Sequence, residues 1–142
     1  MTMDDYDEVL ALWKESEGVG LSRSDSRRAV RSYLERNPGM SFVARCGGRV
    51  VGAVLCGHDG RRGCVHHLAV GKEFRRRGIG SLLVERCLAR LRRERIDKCN
   101  LFLFEANREG RKFWSRTGWR DRADLRVMQR ELSAGAGRRR SC

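Results

Sequence analysis

Residues 75–81 read Arg-Arg-Arg-Gly-Ile-Gly-Ser, a basic run closing on two glycines one residue apart. Guanidinium groups offer forked, permanently charged donors that match phosphate oxygens. Glycines at 78 and 80 let a ligand approach the main chain where a Cβ would obstruct it. If a helix starts here, its free N–H groups and the positive end of its dipole add to the same attraction. A glycine pair alone carries little information; joined to the arginines and a helix start it points to a phosphate. The doublet His66-His67 is the second group able to do chemistry. Imidazole changes charge near neutral pH, which suits removal of a proton. Cys56, His58, Cys64 and His66 are zinc-type ligands alternating along two neighbouring runs. A flat hairpin seldom converges four ligands on a tetrahedron and no knuckle spacing is present, so no metal is expected.

These groups need elements to hold them. Residues 64–70, with Val65, Leu68, Ala69 and Val70, form the short apolar run of a buried strand. Strict alternation puts His66 on the face of Cys64 and Leu68, with His67 on the other. Ile79, Leu82, Leu83, Cys87 and Leu91 recur at helical spacing, predicting a helix over 79–95 that begins at the glycine pair. Upstream, residues 4–15 read as a helix with Tyr6, Val9, Leu10 and Trp13 on its apolar face. Ser24 or Asp25 caps a second helix, with Ala29, Val30, Tyr33 and Leu34 inward, and Asn37-Pro38-Gly39 is a turn. Strands over 41–46 and 49–57 flank the hairpin signal Gly47-Gly48. The helix after the central strand crosses to a strand over 99–104, and such a crossover implies a parallel pair. Asn107 caps a short helix that Gly118 ends, and 119–120 with 125–132 form a last hairpin. The chain is expected to be one α/β domain over residues 1–133 with a mixed, mostly antiparallel sheet, then a flexible basic tail over 134–142.

The length of 142 residues suits one core. No run approaches a membrane span and no secretory segment follows Met1, so a cytoplasmic protein with reduced thiols is expected for its six cysteines. The net charge of +13 invites a nucleic-acid reading. The arginines are scattered through every element, however, and aromatics are not interleaved among them, which disfavours nucleic acid as a partner.

Leu68-Ala69-Val70 followed by Arg75-x-x-Gly78-x-Gly80 resembles the acyl-CoA-binding signature of the GNAT (Gcn5-related) N-acetyltransferases. Asn107-x-x-Gly110-x-x-Phe113-Trp114-x-x-x-Gly118-Trp119 resembles a second segment of that family. The resemblance spans about residues 4–132. It implies a twisted sheet whose central parallel strands splay, with flanking helices. It also implies acetyl-CoA as cosubstrate, a primary amine of a small molecule or protein as acceptor, and direct attack in a ternary complex. Family members begin with a strand before the first helix; here only Met1, Thr2 and Met3 precede it, so that strand is missing or vestigial. The edge so exposed argues for a homodimer or for protection of the edge.

By this resemblance the cofactor site comprises Leu68, Ala69, Val70, Arg75, Arg76, Arg77, Gly78, Ile79, Gly80, Ser81, Asn107, Phe113 and Trp114. A backbone amide near Val70 stabilises the thioester oxygen. The family often uses a Glu or His near the central strand to neutralise the amine, which makes His66 the candidate base. Its usual general-acid tyrosine is replaced by Trp114, whose indole cannot supply a proton at neutral pH. Ser115 is the adjacent candidate; a thiol with a pKa of about 8.5 can also leave unaided. The alternatives are an acyl-CoA-binding regulatory module with weak or no catalysis, and a basic nucleic-acid-binding protein.

Overall fold

The computed structural model describes residues 1–132. The tail expected over 134–142 lies outside the described residues.

The chain starts on a reciprocal capping box. The Asp4 N–H donates to the Thr2 hydroxyl and the Thr2 N–H to the Asp5 carboxylate at 2.7 Å. Helix α1 (Tyr6–Lys14) follows, with Asp7 and Glu8 in its first turn and Lys14 in its last, as the helix dipole favours. It buries Tyr6, Val9, Leu12 and Trp13; Leu10, expected on this face, is only half-buried. Helix α2 (Arg27–Arg36) is capped by Ser26, whose hydroxyl accepts from the Ala29 N–H. Neither Ser24 nor Asp25 is the cap. Asp25 instead turns inward, because it closes a second capping box with Ser22 one turn earlier.

Strands β1 (Phe42–Cys46), β2 (Arg49–His58), β3 (Gly63–Val70) and β4 (Cys99–Leu101) form one sheet in the order β1-β2-β3-β4. The first two pairings are antiparallel and β3 with β4 is parallel. Gly47 and Gly48, both at positive φ, make the β1–β2 hairpin turn. Strand β2 is buried over seven consecutive residues, the mark of a strand covered on both faces. Ala53 and Leu55 join the core with α1 and α2, whereas Val54 and Cys56 face α3 (Ile79–Arg93). Three layers result, with α4 (Arg108–Arg116) placing Trp114 against the α3 side.

Four expectations are corrected. First, β3 does not alternate strictly. Ala69 pairs with Ala53 and His66 with Leu55, so two residues, His67 and Leu68, oppose the single Val54. This is a β-bulge, and His67 sits at φ 53 within it. His66 and His67 therefore both face α1 and α2, while Leu68 packs toward α3. Second, Leu82 is 59% exposed, and Val84 is buried beside Leu83, Cys87 and Leu91. Third, the strand expected over 99–104 is paired only through Leu101; Phe102 and Phe104 leave the sheet exposed. Fourth, no strand follows β4 among the described residues. Residues 120–124 are held by the local pairs Arg122–Asp124 and Arg111–Asp121 instead of a ladder, and Leu125, Val127, Met128 and Leu132 are exposed.

The register also separates the four zinc-type ligands. Cys56 pairs with Val65 and Cys64 with Gly57, so Cys56 and Cys64 point to opposite faces. Strand β1 is the first in the sheet, and no strand precedes α1. Its edge is irregular between Ala44 and Arg45, and Arg45 bonds Asp5, Glu8 and the Gly48 carbonyl. The terminal ammonium of Met1 donates to the Ser41 carbonyl at 2.9 Å. A bulge and charged groups on an edge strand discourage further pairing.

Candidate acetyl-CoA site

The glycine turn lies where the end of β3 meets the start of α3. Gly78 is the residue before the helix and sits at φ 80, a left-handed conformation that favours glycine. Space is open around it: a Cβ there would meet nothing within 4 Å. Nothing caps the helix start with a side chain, so its first N–H groups are left for a ligand. Arg75, Arg76 and Arg77 are exposed around this opening. Arg75 is fixed by its Nε, which donates to the Val70 carbonyl at 3.0 Å, and Arg77 lies over the Phe74 ring at 5.5 Å. Ile79 is half-buried against the core and Ser81 half-buried in the first helical turn. Open room, free amides and three guanidinium groups fit a diphosphate.

The second sequence block comes to the same place. A Cβ on Gly80 would stand 3.4 Å from the Phe113 ring and 3.7 Å from Val70 Cγ2. Strand end, glycine turn and α4 therefore abut at Gly80. Phe113 meets Trp114 edge-on at 5.0 Å, and Trp114 meets Trp119 likewise at 5.0 Å. Asn107 caps α4, its Oδ1 accepting from the Gly110 N–H at 2.8 Å. Its Nδ2 reaches the loop after α1, lying 2.6 Å from where a Gly18 Cβ would be.

Between these lies a gap in the sheet. Strand β4 pairs with β3 only at Gly63, Cys64 and Val65, so the rest of β3 has no paired strand on that side among the described residues. The Gly71 N–H donates to the Val51 carbonyl on β2 at 2.8 Å. Alternation then turns the Val70 N–H toward the gap. Ala69 is buried among the residues facing α1, and Leu68 packs on the α3 side.

His66 overlooks the gap from the α1–α2 face. Its ring stands edge-on to Tyr33 at 6.0 Å and tilted to Phe102 at 6.3 Å. Burial pushes its pKa below the ordinary imidazole value; positive charge on His67 pushes the same way, and Asp25 opposes. The ring is thus neutral at pH 7 and able to accept a proton. Tyr33 is held far above its usual range by burial, so it keeps its proton. Its hydroxyl has no hydrogen-bond partner among the described residues.

A model of the acetyltransferase (GNAT) family matches residues 6–119. An acetyltransferase of Sodalis glossinidius is 33% identical over 102 residues, which is 70% of each chain. The chain belongs to the GNAT acetyltransferase family. It is an acyltransferase whose cosubstrate is acetyl-CoA. Among solved structures, the PaiA N-acetyltransferase of Thermoplasma acidophilum in complex with coenzyme A is similar in fold. Its TM-score is 0.75 at 14% identity, over 84% of this chain and 86% of that one. AAC(6')-Iy in complex with a bisubstrate analog, CoA-S-monomethyl-acetylneamine, gives 0.71 at 16% identity, over 92% and 93%.

The remaining candidates of this GNAT chain fall differently. Trp114 is a packing residue between Phe113 and Trp119. Ser115 stands exposed on α4, off the stripe of Asn107, Gly110, Phe113, Trp114 and Thr117 that turns inward. The sequence offered Asp25 only as a helix cap and set His67 on the face opposite His66; Asp25 meets His67 at 2.7 Å, and the His67 ring lies 6.4 Å from that of His66. The signal for Asp25 was the Ser22-x-x-Asp25 spacing of a capping box, which places a carboxylate at the end of a loop.

Proposed function

We propose that this protein acetylates a primary amine by direct attack in a ternary complex, with His66 as the base. Residues 1–133 form the catalytic domain of the proposal. The observation that carries it is the open left-handed Gly78 at an uncapped helix start, beside a β3 edge that β4 has left. Arg75, Arg76 and Arg77, with the amides of Gly78, Ile79, Gly80 and Ser81, hold the diphosphate. Leu68, Ala69 and Val70 border the arm that runs into the gap, with Asn107, Phe113 and Trp114 behind it.

Acetyl-CoA supplies a thioester whose carbonyl carbon bonds to the amine nitrogen as the C–S bond breaks, the electron pair leaving on sulfur. The Val70 N–H faces the position where the carbonyl oxygen gains charge. His66 takes one proton from the arriving ammonium through water and passes it to solvent. The second amine proton ends on the thiol, which leaves without an acid from Trp114. Tyr33, Phe102 and His66 present aromatic faces that favour a cationic amine on arrival. A small-molecule amine as acceptor is supported by the bisubstrate analog CoA-S-monomethyl-acetylneamine in the AAC(6')-Iy complex; a protein amine is the alternative acceptor. The five described cysteines carry no disulfide, which suits the reducing cytoplasm.

The test is release of CoA thiol from acetyl-CoA with a panel of primary amines, small molecules and peptides included. Amine-dependent release above hydrolysis is expected. Release that never exceeds hydrolysis, with acetyl-CoA still bound, would leave the regulatory-module reading.

A further inference from the structure

The bulge in β3 is held from two sides. The Trp13 indole N–H donates to the His67 carbonyl at 3.0 Å, and the His67 Nε2 lies 2.7 Å from Asp25 Oδ1. A carboxylate only accepts, so Nε2 carries the proton and donates it. Asp25 is buried and His67 half-buried, with side-chain exposures of 8% and 18%. Asp25 is itself fixed. Its Oδ2 accepts the Ser22 N–H at 2.8 Å, and its carbonyl accepts the Tyr6 hydroxyl at 2.8 Å. A histidine at φ 53 is uncommon and persists only where its surroundings over-determine it. Removing the inserted residue would return β3 to strict alternation and turn His66 or His67 to the far face.

We propose that Asp25 and His67 are a positioning pair for His66: Asp25 holds His67, and His67 holds the bulge that keeps His66 at the gap. The inference rests on the acetyltransferase reading above and adds two residues to it. The pair also ties the loop before α2 to the strand that carries the base. Charge completes the device. The titratable groups facing His66 are Asp25 from the turn before α2, Tyr33 from α2, and His67 on its own strand; Phe102 beyond β4 is uncharged. Burial is the main influence keeping His66 neutral; positive charge on His67 pushes the same way and Asp25 opposes.

His67→Asn is the first test, because asparagine tolerates the left-handed conformation, yet its short amide cannot reach the Asp25 carboxylate that the His67 Nε2 meets. It should lower kcat about ten- to hundredfold through misplacement of the base, with the acetyl-CoA KM unchanged. The His66 imidazole, followed by NMR titration of the full chain, should move upward, since the opposing charge is gone and Asp25 remains. Asp25→Asn should lower kcat similarly and move the titration less, because it weakens both opposing influences. If Asp25→Asn loses the fold, His67→Asn decides alone. A His66 titration identical to wild type in the folded His67→Asn protein would overturn the proposal, as would undiminished kcat. The titration needs no turnover: a wild-type protein that acetylates no amine defeats the transferase reading, whereas the titration still judges the pair.

Discussion

The His66 ring makes no hydrogen bond to protein among the described residues, which is unusual for a half-buried imidazole and natural for one that exchanges protons with water. Its lowered pKa sets a sign. Below the ordinary imidazole value of about 6.5 the unfolded chain binds the proton and the folded chain resists it, so stability falls as pH drops through that range. Activity follows the same ionisation from the other side. The acid limb of kcat/KM is expected below the ordinary value, with His66→Ala losing that limb and about a hundredfold or more in rate. A pH–rate profile of His66→Ala that keeps the wild-type limb would assign the limb to another group. His66 was legible from its type and its strand. The Asp25–His67 contact was not, because 42 residues separate its partners and no local pattern announces it.

Helices and hairpins announced themselves through local signals: the Gly47-Gly48 turn, the Asn37-Pro38-Gly39 stop, the Asn107 cap and the apolar spacing of α3. The bulge gave no such signal, since a period of two assumes that no residue is inserted. The last hairpin failed for a related reason: alternating apolar residues show what a segment could pair as, and pairing itself is non-local. Close packing at one strand glycine links the elements to the site. A Cβ on Gly57 would lie 2.6 Å from the Tyr33 hydroxyl and 2.5 Å from the Asn37 side chain. Gly57→Ala should therefore cost about 1–3 kcal/mol by overpacking, read as a fall in Tm of several degrees. It should also lower kcat by moving Tyr33 against His66, and leave acetyl-CoA affinity unchanged. An unaltered Tm would mean that α2 yields freely and does not brace β2.

At the scale of the molecule, three layers bring two sequence blocks separated by the whole of α3 to one glycine turn. The family and the glycine turn at the start of α3 were legible because their signature is local and chemical. The surroundings of His66 were not, being assembled from Tyr33 of α2, Asp25 in the turn before it and Phe102 beyond β4. Charge is the other global property. The net +13 is spread over arginines in every element with no interleaved aromatics, so duplex DNA should bind weakly, with an affinity that falls steeply as salt rises. The account turns on Gly78, and calorimetric titration of acetyl-CoA into wild-type, Gly78→Asn and Gly78→Glu proteins tests it most directly. Asparagine tolerates the left-handed backbone with a small neutral side chain, whereas glutamate adds bulk and negative charge where the diphosphate is placed. The account predicts tight binding to wild type, modest loss in Gly78→Asn and at least about a hundredfold loss, ~2.7 kcal/mol, in Gly78→Glu. Equal affinity for wild type and a folded Gly78→Glu would contradict it.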